Sequence, residues 1–386
     1  MKQPGKIAAL ESLRGLLALW VVVAHVTARV ISDASVVETH ARAALEPLLP
    51  VYVFMILSGF VIWGLLRREH ENWRTFITRR FFRLAPLYFA VLAVAALATP
   101  FELRALENLF WRNQHVYDAI KVHQETLAHF WPHLWAHVLM IQGLIPDTVL
   151  ADSNFTFLSQ GWSISLEWQF YLIAPALFAL WTRERHLQLA LCGIGIAAVG
   201  LLNIPSVGFL PNQFVWFVLG IASYQAWQSP GWYTHIPARA HDALLLALMA
   251  LLYVLLHQPL PVLVWLVVMD SLLAQRTGRQ TATTQAVNRL LEQPVLQKLG
   301  EMSYSVYLVH IPVLYVVFRA LTKWDEHLFG WKFLALALPA TLIVTLLVST
   351  LTYRLIERPG IALGSRLAAR KNVSPARDTL TVASRG

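Results

Sequence analysis

The sequence predicts an all-α fold: a polytopic transmembrane helix bundle of about ten spans, with both termini cytoplasmic. Three observations predict it. Of 386 residues, 57% are apolar and only 14% are charged, whereas a soluble domain carries about a quarter charged residues. The apolar residues fall in runs long enough to cross a ~30 Å hydrocarbon slab, which takes about 20 residues of helix. The basic residues gather in alternate gaps between those runs, as cytoplasmic loops require.

Taken in order, the expected spans are 11–31, 48–66, 84–102, 162–182, 186–204, 210–228, 241–257, 259–275, 299–321 and 332–356. With the N-terminus inside, the cytoplasmic gaps and tail, counted with Arg354, hold 22 of the 31 Lys and Arg residues. The formal charge of +9 then reflects membrane orientation rather than nucleic acid. Residues 133–145, HLWAHVLMIQGLI, are apolar but short. Making them a span would carry Arg183 and Arg185 outside, so an interfacial or re-entrant element is expected. Residues 103–161 then form an outer segment rich in Trp, His and Asn, with room for a polar substrate. Residues 1–360 read as one transmembrane domain. Residues 361–386 read as a polar cytoplasmic tail expected to be disordered. The first apolar run lacks a small-residue cleavage site and is expected to be retained as a helix. Cys192 stands alone, which excludes an intramolecular disulfide and a thiolate metal cluster.

Polar residues inside the apolar runs carry the chemistry. The first span contains Arg14 and His25. Eleven steps of ~100° return to within about 20°, so both lie on one face, ~16 Å apart along the axis. Ionisable groups at such depth usually line a cavity, although His25 also suits a bond to a neighbouring helix and Arg14 can reach the headgroups. Glu167 lies five residues into the fourth span, at a membrane level comparable to His25. A His–Glu pair suits general-base work, because the carboxylate fixes the tautomer and supports the positive charge. The bland reading has Glu167 bonded to a hydroxyl such as Ser163.

Ahead of the third span lie Arg67, Arg68, Arg74, Arg79, Arg80 and Arg83. Such a cluster sets topology and binds headgroups. Arg80 and Arg83, three apart beside the membrane, also suit planar, bidentate binding of phosphate. Ser58, Gly59 and Gly64 in the second span read as packing residues. In the ninth span, Ser303, Tyr304, Tyr307 and His310 put polar groups along a membrane helix. No P-loop, dinucleotide fingerprint, zinc-spaced set or nucleophile elbow occurs, so no metal is expected.

These segments resemble the integral membrane acyltransferase family three, which includes O-antigen, exopolysaccharide and Nod-factor acetyltransferases. SLRGLLALWVVVAH resembles the family's arginine, ten residues, histidine signature at Arg14 and His25. FMILSGFVI is similar to its Ser-Gly-Phe motif, RRFFRLAPLY to its arginine pair at Arg80 and Arg83, and WSISLEWQFYL to its Trp-Ser-x-Ser-x-Glu segment. LGEMSYSVYLVHIPVL resembles its late-helix segment. The resemblance covers about residues 6–360. It implies O-acylation, most simply O-acetylation, of a carbohydrate or glycolipid hydroxyl from cytoplasmic acetyl-CoA or another acyl-CoA. That acyl-CoA is a co-substrate, and no permanently bound cofactor is expected. It implies a bacterial inner membrane and a form without a fused soluble domain. The chain departs from many relatives at Trp168, where they carry a second acidic residue.

On this basis His25, Glu167 and Arg14 are the expected catalytic residues. Arg80, Arg83 and Arg14 are expected to bind the donor. Trp162, Ser165, Tyr171, Tyr307 and His310 are expected to line the substrate path. Base catalysis by His25 and an acyl-histidine relay both remain open. The rival reading is a transporter or flippase, since polar groups at mid-membrane suit it as well. A scaffold has the least use for inward-facing Arg14, His25 and Glu167.

Overall fold

The computed structural model describes residues 7–31, 45–69, 71–202, 204–237, 240–256 and 258–372. Among them the regular structure is helical throughout. The helices are α1 (Ala8–Val30), α2 (Leu48–Glu69), α3 (Trp73–Glu107), α4 (Gln114–Ala128), α5 (Phe130–Val138), α6 (Gly161–Thr182), α7 (His186–Gly200) and α8 (Leu210–Gln228). They continue as α9 (His241–Leu255), α10 (Pro259–Thr277), α11 (Ala282–Leu291), α12 (Pro294–Glu301), α13 (Ser303–Trp324), α14 (Gly330–Thr352) and α15 (Arg358–Asn372).

Each expected span overlaps a helix, although 299–321 begins inside α12 and is interrupted at Met302 before α13. Seven helices are long and apolar enough to cross a membrane, and α7 and α9 are shorter apolar helices. The chain is an integral membrane protein. α5 has nine residues, less than half of what a bilayer crossing requires. The domain boundary expected at 360 lies inside α15, which runs from Arg358 to Asn372. That helix continues the chain of α14 through a π turn at Tyr353–Glu357. Residues 373–386 of the expected tail lie outside the described residues.

Small residues set the closest helix contacts. A Cβ on Gly220 of α8 would meet the Ile56 carbonyl oxygen of α2 at 1.9 Å, and one on Gly59 would meet the Phe217 carbonyl oxygen at 2.2 Å. Reciprocal glycines therefore let the α2 and α8 backbones touch. α1 and α12 meet in the same way at Gly300, where a Cβ would lie 1.9 Å from the Glu11 carbonyl oxygen.

α3 is longer than its expected span because Asn72 caps it early, its side chain accepting from the Thr75 amide at 2.9 Å. Arg80 and Arg83 are therefore helical, one turn apart, and Pro86 lies well inside α3. The outer segment folds back on the bundle. Asn113 donates to the carbonyls of Ala28 and Ile31, each at 3.0 Å, and Trp111 donates to the Arg29 carbonyl at 2.7 Å. His137 of α5 is fully buried between the Tyr88 hydroxyl at 3.1 Å and Thr156 at 3.0 Å. That burial holds its imidazole down at about 3 and neutral.

Candidate active site

Two cavities open along α1, α2, α6 and α13, the first also against α3 and α8 and the second against α4. The first has a volume of about 560 Å³, and its polar wall includes Arg14, Arg80, Arg83, Ser58, Glu167 and Tyr171. α1 supplies Arg14, which lies 3.8 Å from Glu11. The start of α3 supplies Arg80 and Arg83. The Arg80 guanidinium stands 5.8 Å from the centre of the Phe76 ring and 6.0 Å from that of Tyr171, a cation–π arrangement that helps hold the planar guanidinium in place. α6 supplies Glu167, whose Oε1 accepts from Ser58 Oγ at 3.1 Å and from the Tyr171 hydroxyl. The bond expected from Ser163 goes elsewhere: Ser163 Oγ pairs with the Tyr307 hydroxyl at 2.7 Å. Ser58, read from the sequence as a packing residue, holds the carboxylate instead.

The second cavity, of about 380 Å³, is lined by His25, Arg29, His115, Lys121, Trp162 and Tyr307 among others. His25 Nδ1 lies 3.0 Å from Arg29 Nη1, and the same Nη1 donates to the His25 carbonyl at 3.2 Å. A guanidinium only donates, so Nδ1 accepts and the proton of the neutral ring sits on Nε2. The His310 ring lies against it, with centroids 5.2 Å apart.

His25 and Glu167 line different cavities and are not brought together. Equal depth along two helices does not fix their azimuth, and depth was all the sequence offered. Arg14, Arg80 and Arg83 do converge, on the first cavity. Trp162 lines the second cavity, Tyr171 the first, and Tyr307 both.

Two expected lining residues, Ser165 and His310, line neither of these cavities. Ser165 Oγ donates to the Met140 carbonyl at 2.8 Å and accepts from the Gly143 amide at 3.2 Å, so it anchors the outer segment. Two residues turn a helix by about 200°, which sends Ser163 to the cavity and Ser165 away from it. His310 is fully buried behind His25, its Nδ1 donating to the Tyr307 carbonyl at 2.7 Å. Trp168, in place of a second acid, packs edge-on to Phe81 with centroids 5.9 Å apart.

Sequence reasoning missed Arg29 and Glu357. Arg29 lies one turn beyond His25, and that i+4 spacing was its signal. Glu357 is buried at the π turn and accepts from Ser305 Oγ at 2.6 Å. No spacing rule announces a π turn, although such turns often mark functional sites.

The residues that line these cavities lie within one family match. A family model described as an acyltransferase domain, that of acyltransferase family three, matches residues 7–354. The chain belongs to this acyltransferase family. Two relatives agree along their lengths. The acyltransferase is 26% identical to acyltransferase MdmB of Streptomyces mycarofaciens over 419 aligned positions, covering 98% of this chain and 97% of the relative. It is 26% identical over 369 positions to BcsY of Komagataeibacter xylinus, a protein named as a membrane-bound transacylase, covering 89% of this chain and 84% of that one. No solved structure matches the acyltransferase.

Proposed function

We propose that this acyltransferase moves an acyl group, most simply acetyl, from cytoplasmic acyl-CoA to a hydroxyl of a carbohydrate or glycoconjugate at a bacterial inner membrane. One observation carries the reading. Arg14, Arg80 and Arg83 gather with Glu167 in one cavity, whose wall also includes Arg68, Glu11 and Glu69, His25 lines another, and Val51 and Tyr307 line both. A single layer of side chains thus lies between a site for a polyanion and a site for a hydroxyl.

In this reading Arg80 and Arg83 hold the nucleotide phosphates through charge-assisted forks, and Arg14 guides the pantetheine arm. Glu167, fixed by Ser58 and Tyr171, keeps the arginines in register. Tyr307 moves aside to let the thioester reach His25. His25 acts as general base: its Nδ1, once free of Arg29, takes the acceptor hydroxyl proton. The acceptor oxygen attacks the thioester carbonyl, the C–S bond breaks, and the CoA thiolate recovers the proton from the imidazolium. Such help is worth about 10²–10⁴-fold. The names of the two relatives, an acyltransferase and a transacylase, support acyl transfer.

A divided pair of cavities also suits a transporter. The purified protein in nanodiscs with radiolabelled acetyl-CoA and a crude glycan extract separates the two. Wild type forms labelled ester and free CoA, and folded His25→Ala does not. No ester from wild type with acetyl-CoA or a longer acyl-CoA would remove the acyltransferase reading and leave transport.

A further inference from the structure

Arg29 is a buried cation that pairs with no carboxylate among the described residues. Its residue is 6% exposed, its Nε has no hydrogen-bond partner, and its guanidinium lines the second cavity. Among the described residues no carboxylate stands within ion-pair distance. The acid nearest in effect, Glu102, acts on it only through space, its carboxylate lying 3.2 Å from His123 Nε2. Three acids line the cavity: Asp118 accepts from Gln114 at 2.7 Å, Asp152 lies 3.6 Å from Lys121, and Glu46 is also engaged. A buried charge left without a counter-ion is costly. What Arg29 has instead is the His25 carbonyl at 3.2 Å, the Tyr315 ring with its centre 5.8 Å from the guanidinium carbon, and the neutral Nδ1 of His25 at 3.0 Å. That bond occupies the lone pair a general base needs, and it leaves Nε2 carrying the proton.

We propose that the acceptor carries an acidic group, a carboxylate or a phosphate, which binds Arg29 and so releases His25 Nδ1 to act as base. The inference rests on the acyl-transfer reading above and adds the acceptor class. A planar guanidinium prefers a bidentate oxyanion to a single imidazole nitrogen. Binding of the acid therefore satisfies the buried charge and frees the base in one event. Before the acceptor arrives, His25 has no free lone pair with which to activate water, and the thioester is spared hydrolysis.

The test uses the full chain in nanodiscs with acetyl-CoA and three acceptor probes: methyl glucuronide, methyl glucoside 6-phosphate and neutral methyl glucoside. Binding of each probe is measured by calorimetry alongside turnover. Wild type should favour one or both acidic probes over the neutral one by about 10-fold or more in kcat/KM, the scale of a charge-assisted bond. The uronate and phosphate arms tell which acid is taken. In Arg29→Met the preference should collapse to about unity, and acetyl-CoA hydrolysis without acceptor should rise as Nδ1 is unmasked. Arg29→Lys, which keeps the charge, should retain the preference. A wild type that treats all three alike, or a preference that survives in Arg29→Met, overturns the proposal. If no probe is acylated but an acidic probe binds and Arg29→Met abolishes that binding, the acidic-ligand site stands and acyl transfer fails. If no acidic probe binds either, the site fails too. If Arg29→Met does not fold, the wild-type preference and its retention in Arg29→Lys decide.

Discussion

At the scale of single residues, the site is a contrast between charges that are shared and one that is not. Arg80 and Arg83 face Glu167 and Tyr171 across one cavity. A charge-assisted hydrogen bond is worth about 1.5–3 kcal/mol. Replacing both arginines with alanine should raise KM for acyl-CoA about 10- to 100-fold while leaving the protein folded, as initial rates against acyl-CoA concentration would show. Unchanged dependence on acyl-CoA would remove them from the donor site. Glu167→Gln keeps the shape and an acceptor for Ser58 and Tyr171 but removes the charge. It should lower kcat/KM about tenfold or more, on the scale of one charged hydrogen bond, with little change in melting temperature. Arg14, Arg80 and Arg83 were legible in the sequence because helical spacing and the membrane boundary fix both their face and their depth. The separation of His25 from Glu167 was not, because the azimuth of each depends on how α1 and α6 pack.

At the scale of elements, seven of the ten expected spans were legible as helices long and apolar enough to cross a membrane, and the short amphipathic pieces were not. α11 and α12, of ten and eight residues, lie in a stretch read as a cytoplasmic loop. Only the capping box formed by Thr281 and Thr284 marks the first of them. The α2–α8 contact offers a direct check on packing. Gly220→Ala puts a Cβ 1.9 Å from the Ile56 carbonyl oxygen, and overpacking of this kind costs about 1–3 kcal/mol. A clear fall in the detergent melting temperature is expected, whereas exposed Gly195, with nothing within 4 Å, should tolerate alanine.

The outer segment should respond to acid. Its His137 is held neutral at about 3, while an unfolded segment binds a proton near the ordinary imidazole value of about 6.5. As pH falls from 7.5 to 5 the unfolded state gains protons the folded one lacks, and stability drops by on the order of 2 kcal/mol. Hydrogen exchange of residues 130–160 should speed up over that interval.

At the scale of the whole molecule, the helices divide the interior into two chambers that meet at Val51 and Tyr307. Tyr307 closes the division by pairing with Ser163 Oγ at 2.7 Å and donating to the Gln160 carbonyl at 3.2 Å. The sequence placed Tyr307 on a polar stripe but not at a partition, since a partition is a property of several helices together. The division carries the central claim, that donor and acceptor reach the reaction from opposite faces of the membrane. Proteoliposomes with the glycan extract sealed inside, and radiolabelled acetyl-CoA added only outside, test it most directly. Labelled glycan should accumulate in the lumen while free CoA appears outside, and His25→Ala vesicles should show neither. Label that forms only on glycan supplied from the same side as acetyl-CoA would contradict the account.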